Sequence, residues 1–169
     1  TNPSVLGNLC FSVKKAGVSS MQNCTIKDIA VVGFGVHGMC AMDHCTVENC
    51  DLDIIGGSIQ VGKCPWVRYG NGIEFYITSN PIGNSVVRGC RISRTFDCGA
   101  TIQGSGDKMG DAVGIGFYNN RFIYCRQAFE HFMQSNGNPA KYIDCSFDHN
   151  LSLWAGDNQF GCPEIRDAA

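Results

Sequence analysis

Five segments of this chain can be laid over one another without gaps. Met21-Gln-Asn-Cys-Thr-Ile-Lys-Asp-Ile29, Met42-Asp-His-Cys-Thr-Val-Glu-Asn-Cys50, Val87-Arg-Gly-Cys-Arg-Ile-Ser-Arg-Thr95 and Tyr142-Ile-Asp-Cys-Ser-Phe-Asp-His-Asn150 share one form. Phe117-Tyr-Asn-Asn-Arg-Phe-Ile-Tyr-Cys125 fits with Asn120 in the cysteine place. Cys24, Cys45, Cys90, Asn120 and Cys145 then form one column, and Ile26, Val47, Ile92, Phe122 and Phe147 another. Such a unit cannot bury its inner face alone, and stacking like residues over like residues makes a continuous core. A small thiol at a corner packs on the next thiol, and an Asn there passes hydrogen bonds along the stack.

The side-chain mixture agrees with short strands. Val and Ile together number 26, against 5 Leu and 10 Ala. β-Branched residues suit a pleated surface, whereas helical domains lean on Leu and Ala. At 169 residues the chain reads as a single domain, 1–169, long enough for its own core. A net charge of -2 argues against broad binding to nucleic acid. No apolar run is long enough to span a membrane as a helix. The Thr-Asn-Pro-Ser start has neither the basic nor the apolar part of a leader, and reads as a processed chain or an excised piece.

Eleven cysteines admit three readings. A disulfide framework usually serves smaller secreted chains. Zinc wants close ligand pairs, and here the nearest are Cys40/Cys45 and Cys45/Cys50, with His37 and His44 nearby. The third reading, buried thiols acting as small hydrophobes, fits the recurrence of cysteine at one phase of the repeat.

A second strand-like stretch follows most repeats: Ile73–Phe75, Thr101–Gln103, Phe129–Phe132 and Leu151–Trp154. Residues flanked by apolar neighbours should point outward, so Glu74, Gln103, Glu130 and Trp154 are expected in one outward column, with Gln103 between the two acids. A Gly-rich stretch near 56–72 reads as a long loop inserted into one coil, and Gly104–Asp111 as a second loop leaving the same side. Long loops in compact domains are often functional. Phe122, Cys125, Phe129, Phe132 and Met133 also recur at helical spacing, but the repeat frame favours strands there.

These coils, with Gly-Asn-Gly-Ile-Glu-Phe (70–75), Phe-Asp-Cys-Gly-Ala-Thr-Ile-Gln (96–103) and Arg-Gln-Ala-Phe-Glu-His-Phe (126–132), resemble the bacterial right-handed parallel β-helix repeat proteins of the pectin-lyase-like superfamily. The resemblance implies an all-β solenoid of about six coils, part of a longer helix or an unusually short one. It also implies a carbohydrate-active protein, exported or held at the cell surface, that binds or cleaves a polysaccharide or oligosaccharide. The superfamily includes hydrolases, lyases, epimerases and non-catalytic solenoids. The mannuronan-epimerase motif Asp-Pro-His-Asp is absent.

Glu74 and Glu130 are the expected catalytic pair, one protonating a leaving oxygen while the other activates water. Asp97 is the extra acid. Gln103, His131, Tyr69, Trp66 and Trp154 would line the groove, and the planar fork of Arg68 suits a uronate carboxylate. A lyase would call for Ca2+, with Asp51, Asp53, Asp107 and Asp111 as oxygen donors and Arg94 or Lys108 as base. The alternative is a non-catalytic binding or structural solenoid whose open ends invite end-to-end self-association.

Overall fold

The computed structural model describes residues 21–40, 42–57, 70–134 and 140–156. These residues are all-β, without a helix, and every pairing between their strands is parallel. Three sheets carry the architecture. The first holds Thr25–Lys27, Thr46–Glu48, Ile82–Arg88 and Ala112–Tyr118, with Tyr142–Ile143 and Ser146–Asp148 both on the last. The second holds Ala30–Val32, Asp51–Ile55, Arg91–Thr95, Arg121–Ile123 and Leu151–Leu153. The third, here the site sheet, holds Met39–Cys40, Ile73–Ile77, Cys98–Ser105 and Gln127–Gln134. The chain visits the three sheets in turn and then returns, one strand further along each. This is the arrangement of a β-solenoid.

The turns between strands explain the repeat. Non-glycine residues with positive φ recur every five positions: His44, Asn49 and Ile54; Asn119 and Tyr124; Asp144, His149 and Trp154. Asn, Asp and His tolerate this left-handed region because their side chains satisfy nearby backbone groups. The corners at His44 and Asn49 are each followed by inward and outward residues in alternation. Cys45, Val47, Cys50, Leu52 and Ile55 are accordingly buried, while Thr46, Glu48 and Asp51 are partly exposed.

This five-residue unit corrects the sequence columns. The register places Cys24, Cys45, Ser85, Ile115 and Cys145 in one line, and Ile29, Cys50, Cys90, Asn120 and Asn150 in the next. Cys90 and Asn120 therefore belong one corner later than Cys24, Cys45 and Cys145. Both corners open with a small or polar inward residue, so a gapless alignment slides between them. Within the second line, the amide of Cys90 donates to Asn120 Oδ1 (2.9 Å), and Asn120 Nδ2 donates to Val87 O (3.0 Å) and Asn150 Oδ1 (3.0 Å).

The buried apolar side chains form one cluster. Phe117 lies at its aromatic centre, with ring centroids 5.7 Å from Phe75, 5.4 Å from Phe129 and 6.1 Å from Phe147. The segment with helical spacing is two strands, Arg121–Ile123 and Gln127–Gln134, separated by the left-handed corner at Tyr124. Gly72 lets adjacent levels meet at the entry to the site sheet: a Cβ there would stand 2.5 Å from Gly99 O.

Outside the second sheet, Asp53 is buried and accepts hydrogen bonds from Ser93 Oγ (2.7 Å) and Arg94 Nε (2.7 Å), with a further contact to Arg94 Nη2. Burial alone would raise its pKa, but the Arg94 and Ser93 hydrogen bonds outweigh it and hold Asp53 below the usual carboxylate range. A carboxyl depressed on folding stabilises above its unfolded pKa, near 3.9, and loses that contribution as pH falls through the folded value. Asp53→Ala is expected to cost about 2 kcal/mol at neutral pH. Urea titrations of both proteins should show the gap narrowing as pH falls below the usual carboxylate range.

Candidate functional site

Ile73, Phe75 and Ile77 point into the core, so Glu74 and Tyr76 between them face outward from the site sheet. The register carries this outer face across the sheet. Cys40, Glu74, Thr101 and Glu130 form one line, and Tyr76, Gln103 and Phe132 the next. Thr101, not Gln103, stands between the two glutamates. Two strand spacings of about 4.8 Å put Glu74 and Glu130 roughly 10 Å apart along the stack.

The two acids have different surroundings. Glu74 is fully buried. Its Oε2 accepts from Asn71 Nδ2 (2.8 Å) and from Gln103 Nε2 (2.7 Å), and His37 Nδ1 lies 3.4 Å away. Gln103 thus reaches Glu74 diagonally, from one residue pair further along the strand. Asn71 also receives the Cys98 amide on its Oδ1 at 3.2 Å, which ties the two levels together.

Glu130 is half-buried and meets a second carboxylate through a thiol. Cys98 Sγ lies 3.2 Å from Glu130 Oε2 and 3.8 Å from Asp97 Oδ1, so these oxygens are at most about 7 Å apart. Arg126 Nη1 stands 3.7 Å from Asp97 Oδ1. Burial, with the Asp97 and Glu130 charges adding to it, pushes the Cys98 thiol far above its ordinary range. Cys98 is therefore a neutral S–H donor, and thiolate chemistry is not its role here.

Aromatic side chains border the acids. Phe132 follows Glu130 by two residues on the same face and is 49% exposed. Tyr76 holds Ser105 Oγ at 2.6 Å. Trp154 departs from the expected column: its strand, Leu151–Leu153, belongs to the second sheet. The residue itself sits at a left-handed corner, its ring stacked on Tyr124 with centroids 4.7 Å apart. Gly156 N donates to Arg126 O (2.7 Å), which places this stack beside the start of the Gln127–Gln134 strand.

Other expected residues fall elsewhere. His131 is in register with buried Ile102, on the inner line, and its ring lies 5.3 Å from Tyr142. Arg68, Tyr69 and Trp66 lie outside the described residues. Most of the stretch near 56–72 lies outside the described residues, which resume at Gly70 just before the strand Ile73–Ile77. The loop 106–111 follows the C-terminal end of the strand Cys98–Ser105. Asp51 and Asp53 are engaged by Arg91 and Arg94. Asp111 Oδ1 accepts the Lys141 amide (2.9 Å) in the loop beyond the site strand. Among the described residues no three His, Cys, Asp or Glu side chains converge as metal ligands.

Sequence reading missed Asn71, Tyr76, Cys98, Arg126, Phe132 and the reach of His37. Strand alternation alone would have found Tyr76 and Phe132, each two residues beyond an outward acid. No family model, no curated protein and no solved structure matches this chain.

Proposed function

We propose that this chain is a right-handed parallel β-helix of about six coils, akin to the pectin-lyase-like proteins, that binds a polysaccharide across the outer face of the site sheet and hydrolyses its glycosidic bonds. The observation that carries this reading is the Asp97–Glu130 pair. Two carboxyl groups with oxygens within about 7 Å meet beside Cys98: Glu130 on the outer face that also carries Tyr76 and Phe132, and Asp97, largely buried, just before the strand Cys98–Ser105. A core does not need acids at that position, whereas a sugar ring stacks on aromatic faces and hydrolysis needs two carboxyl groups. A separation of at most about 7 Å reaches the lower edge of the roughly 6.5–9.5 Å of inverting hydrolases and includes the roughly 5–5.5 Å of retaining ones.

In this reading Arg126, with Nη1 3.7 Å from Asp97 Oδ1, helps to position that carboxyl group. Asp97 takes a proton from water as the water oxygen attacks the anomeric carbon. Glu130 gives its proton to the departing glycosidic oxygen as that bond breaks. Glu74 is fully enclosed, so it serves as an anchor that fixes Asn71 and Gln103. The stacked Tyr124 and Trp154 extend the sugar platform at the sheet's edge. A polysaccharide substrate implies an exported or surface-held protein. Ca2+ enters only if cleavage is eliminative.

A non-catalytic solenoid is the second reading. Tyr142, Ile143, Phe147, Leu151 and Trp154, on the last described level, are 36–60% exposed, a surface suited to end-to-end association. A polysaccharide panel, run with and without Ca2+, separates the readings. New reducing ends without unsaturated-uronate absorbance support hydrolysis, and both together indicate a lyase. Silence across the panel with concentration-dependent self-association in the ultracentrifuge favours the solenoid.

A further inference from the structure

We propose that Cys24 and Cys45 form a reversible disulfide that clips the level of Met21–Val32 to the level of Met42–Ile55. Their sulfur atoms are 3.3 Å apart. Thr25 and Thr46 are in register on adjacent parallel strands, so the two cysteines that precede them are also level. Strands about 4.8 Å apart place such residues within the Cα separation of about 4.4–6.8 Å that a disulfide spans. Side-chain rotation then needs to close the sulfurs by only a little over 1 Å to reach a bond of about 2.05 Å. Both residues are free thiols, Cys24 partly exposed and Cys45 buried behind it. This order suits a first attack at Cys24 and resolution by Cys45.

The clip has something to hold. Cys24, Ile26 and Ile29 on the first described level are only partly buried, whereas Cys45, Val47 and Cys50 beneath them are buried. The other stacked pair, Cys50 and Cys90, is buried on both sides, with the Cys50 amide 3.4 Å from the Cys90 sulfur. An oxidant reaches the Cys24 edge first.

With glutathione disulfide as oxidant the chemistry balances. The Cys24 thiolate attacks one glutathione sulfur, a mixed disulfide forms and one glutathione leaves as thiol. The Cys45 thiolate then attacks the Cys24 sulfur and expels the second glutathione. Two protein thiols are oxidised, one glutathione disulfide is reduced to two thiols, and no other reactant is consumed. Burial, with the Cys45 hydrogen bond and charge adding to it, pushes the Cys24 thiol up to about 11. The step is therefore slow at neutral pH, and the test is run at about pH 8.5.

The native full chain is incubated with glutathione disulfide, alkylated and mapped by mass spectrometry. The expected result is a loss of two hydrogens in intact mass, a Cys24–Cys45 cross-linked peptide and its reversal by dithiothreitol. Amide exchange across 21–32 should slow at least tenfold in the oxidised form. Cys24→Ser should abolish the cross-link, and the wild-type peptide map stands alone if that variant does not fold. Retention of both thiols while other cysteines oxidise would overturn the proposal. So would a stable glutathione adduct on Cys24, or a cross-link from Cys24 to any other cysteine or to a second chain.

Discussion

Truncating Phe117 to alanine is expected to lower the unfolding free energy by about 4 kcal/mol and the melting temperature by roughly 10 °C. The ring is fully buried and packs against Phe75, Phe129 and Phe147, which come from the site sheet and from the adjacent level. The substitution removes apolar burial and leaves a cavity that strands locked in register cannot collapse to fill. Phe147, which is exposed at the end of the described stack, is the control. Phe147→Ala should cost about half as much or less, because one side of that ring already meets solvent. Urea unfolding of the two variants checks the ordering. Equal losses would mean that the aromatic centre lies elsewhere.

Asn120→Leu is the second large effect, with an expected cost of about 3–5 kcal/mol despite the similar shape of the two side chains. Leucine strands the Cys90 amide, the Val87 carbonyl and one partner of Asn150, all inside the stack. Each buried orphan costs about 1–3 kcal/mol. Asn120→Cys should be far milder. Cysteine already occupies the same line at Cys50 and Cys90, where the Cys50 amide meets the Cys90 sulfur at 3.4 Å. A difference of about 2 kcal/mol or more between the two variants, measured by urea unfolding, is the expected result. Indistinguishable variants would show that the Asn120 amide carries no weight in the ladder.

Much of the solenoid was legible in the sequence because inward residues and corners repeat chemically. Cys24, Cys45 and Cys145 could be read as stacked thiols from their shared neighbours, and the structure puts them on one line. Cys90 and Asn120 could not be assigned to the right line. Successive corners five residues apart carry the same kinds of side chain, and only strand pairing tells them apart. The outward face of the site sheet was half legible. Glu74 and Glu130 were identified by alternation, but their line passes through Thr101, since Gln103 sits two residues further along its strand. Burial of Glu74 was not readable, because an outward residue on a strand is exposed unless another part of the chain covers it. The meeting of Asp97, Cys98 and Arg126 with Glu130 was not readable either. It joins residues about 30 positions apart across two levels, and only register creates it.

Glu130→Gln, assayed for turnover and melting temperature on one preparation with the substrate found in the panel, tests the central claim most directly. The amide keeps the size of the carboxyl and can still accept from Cys98, so the melting temperature should stay within about 3 °C. Turnover should fall by about 100- to 10,000-fold, the usual worth of a positioned acid or base. Unchanged turnover in a folded variant would contradict the account, and so would a collapse of melting temperature that accounts for the whole loss of activity.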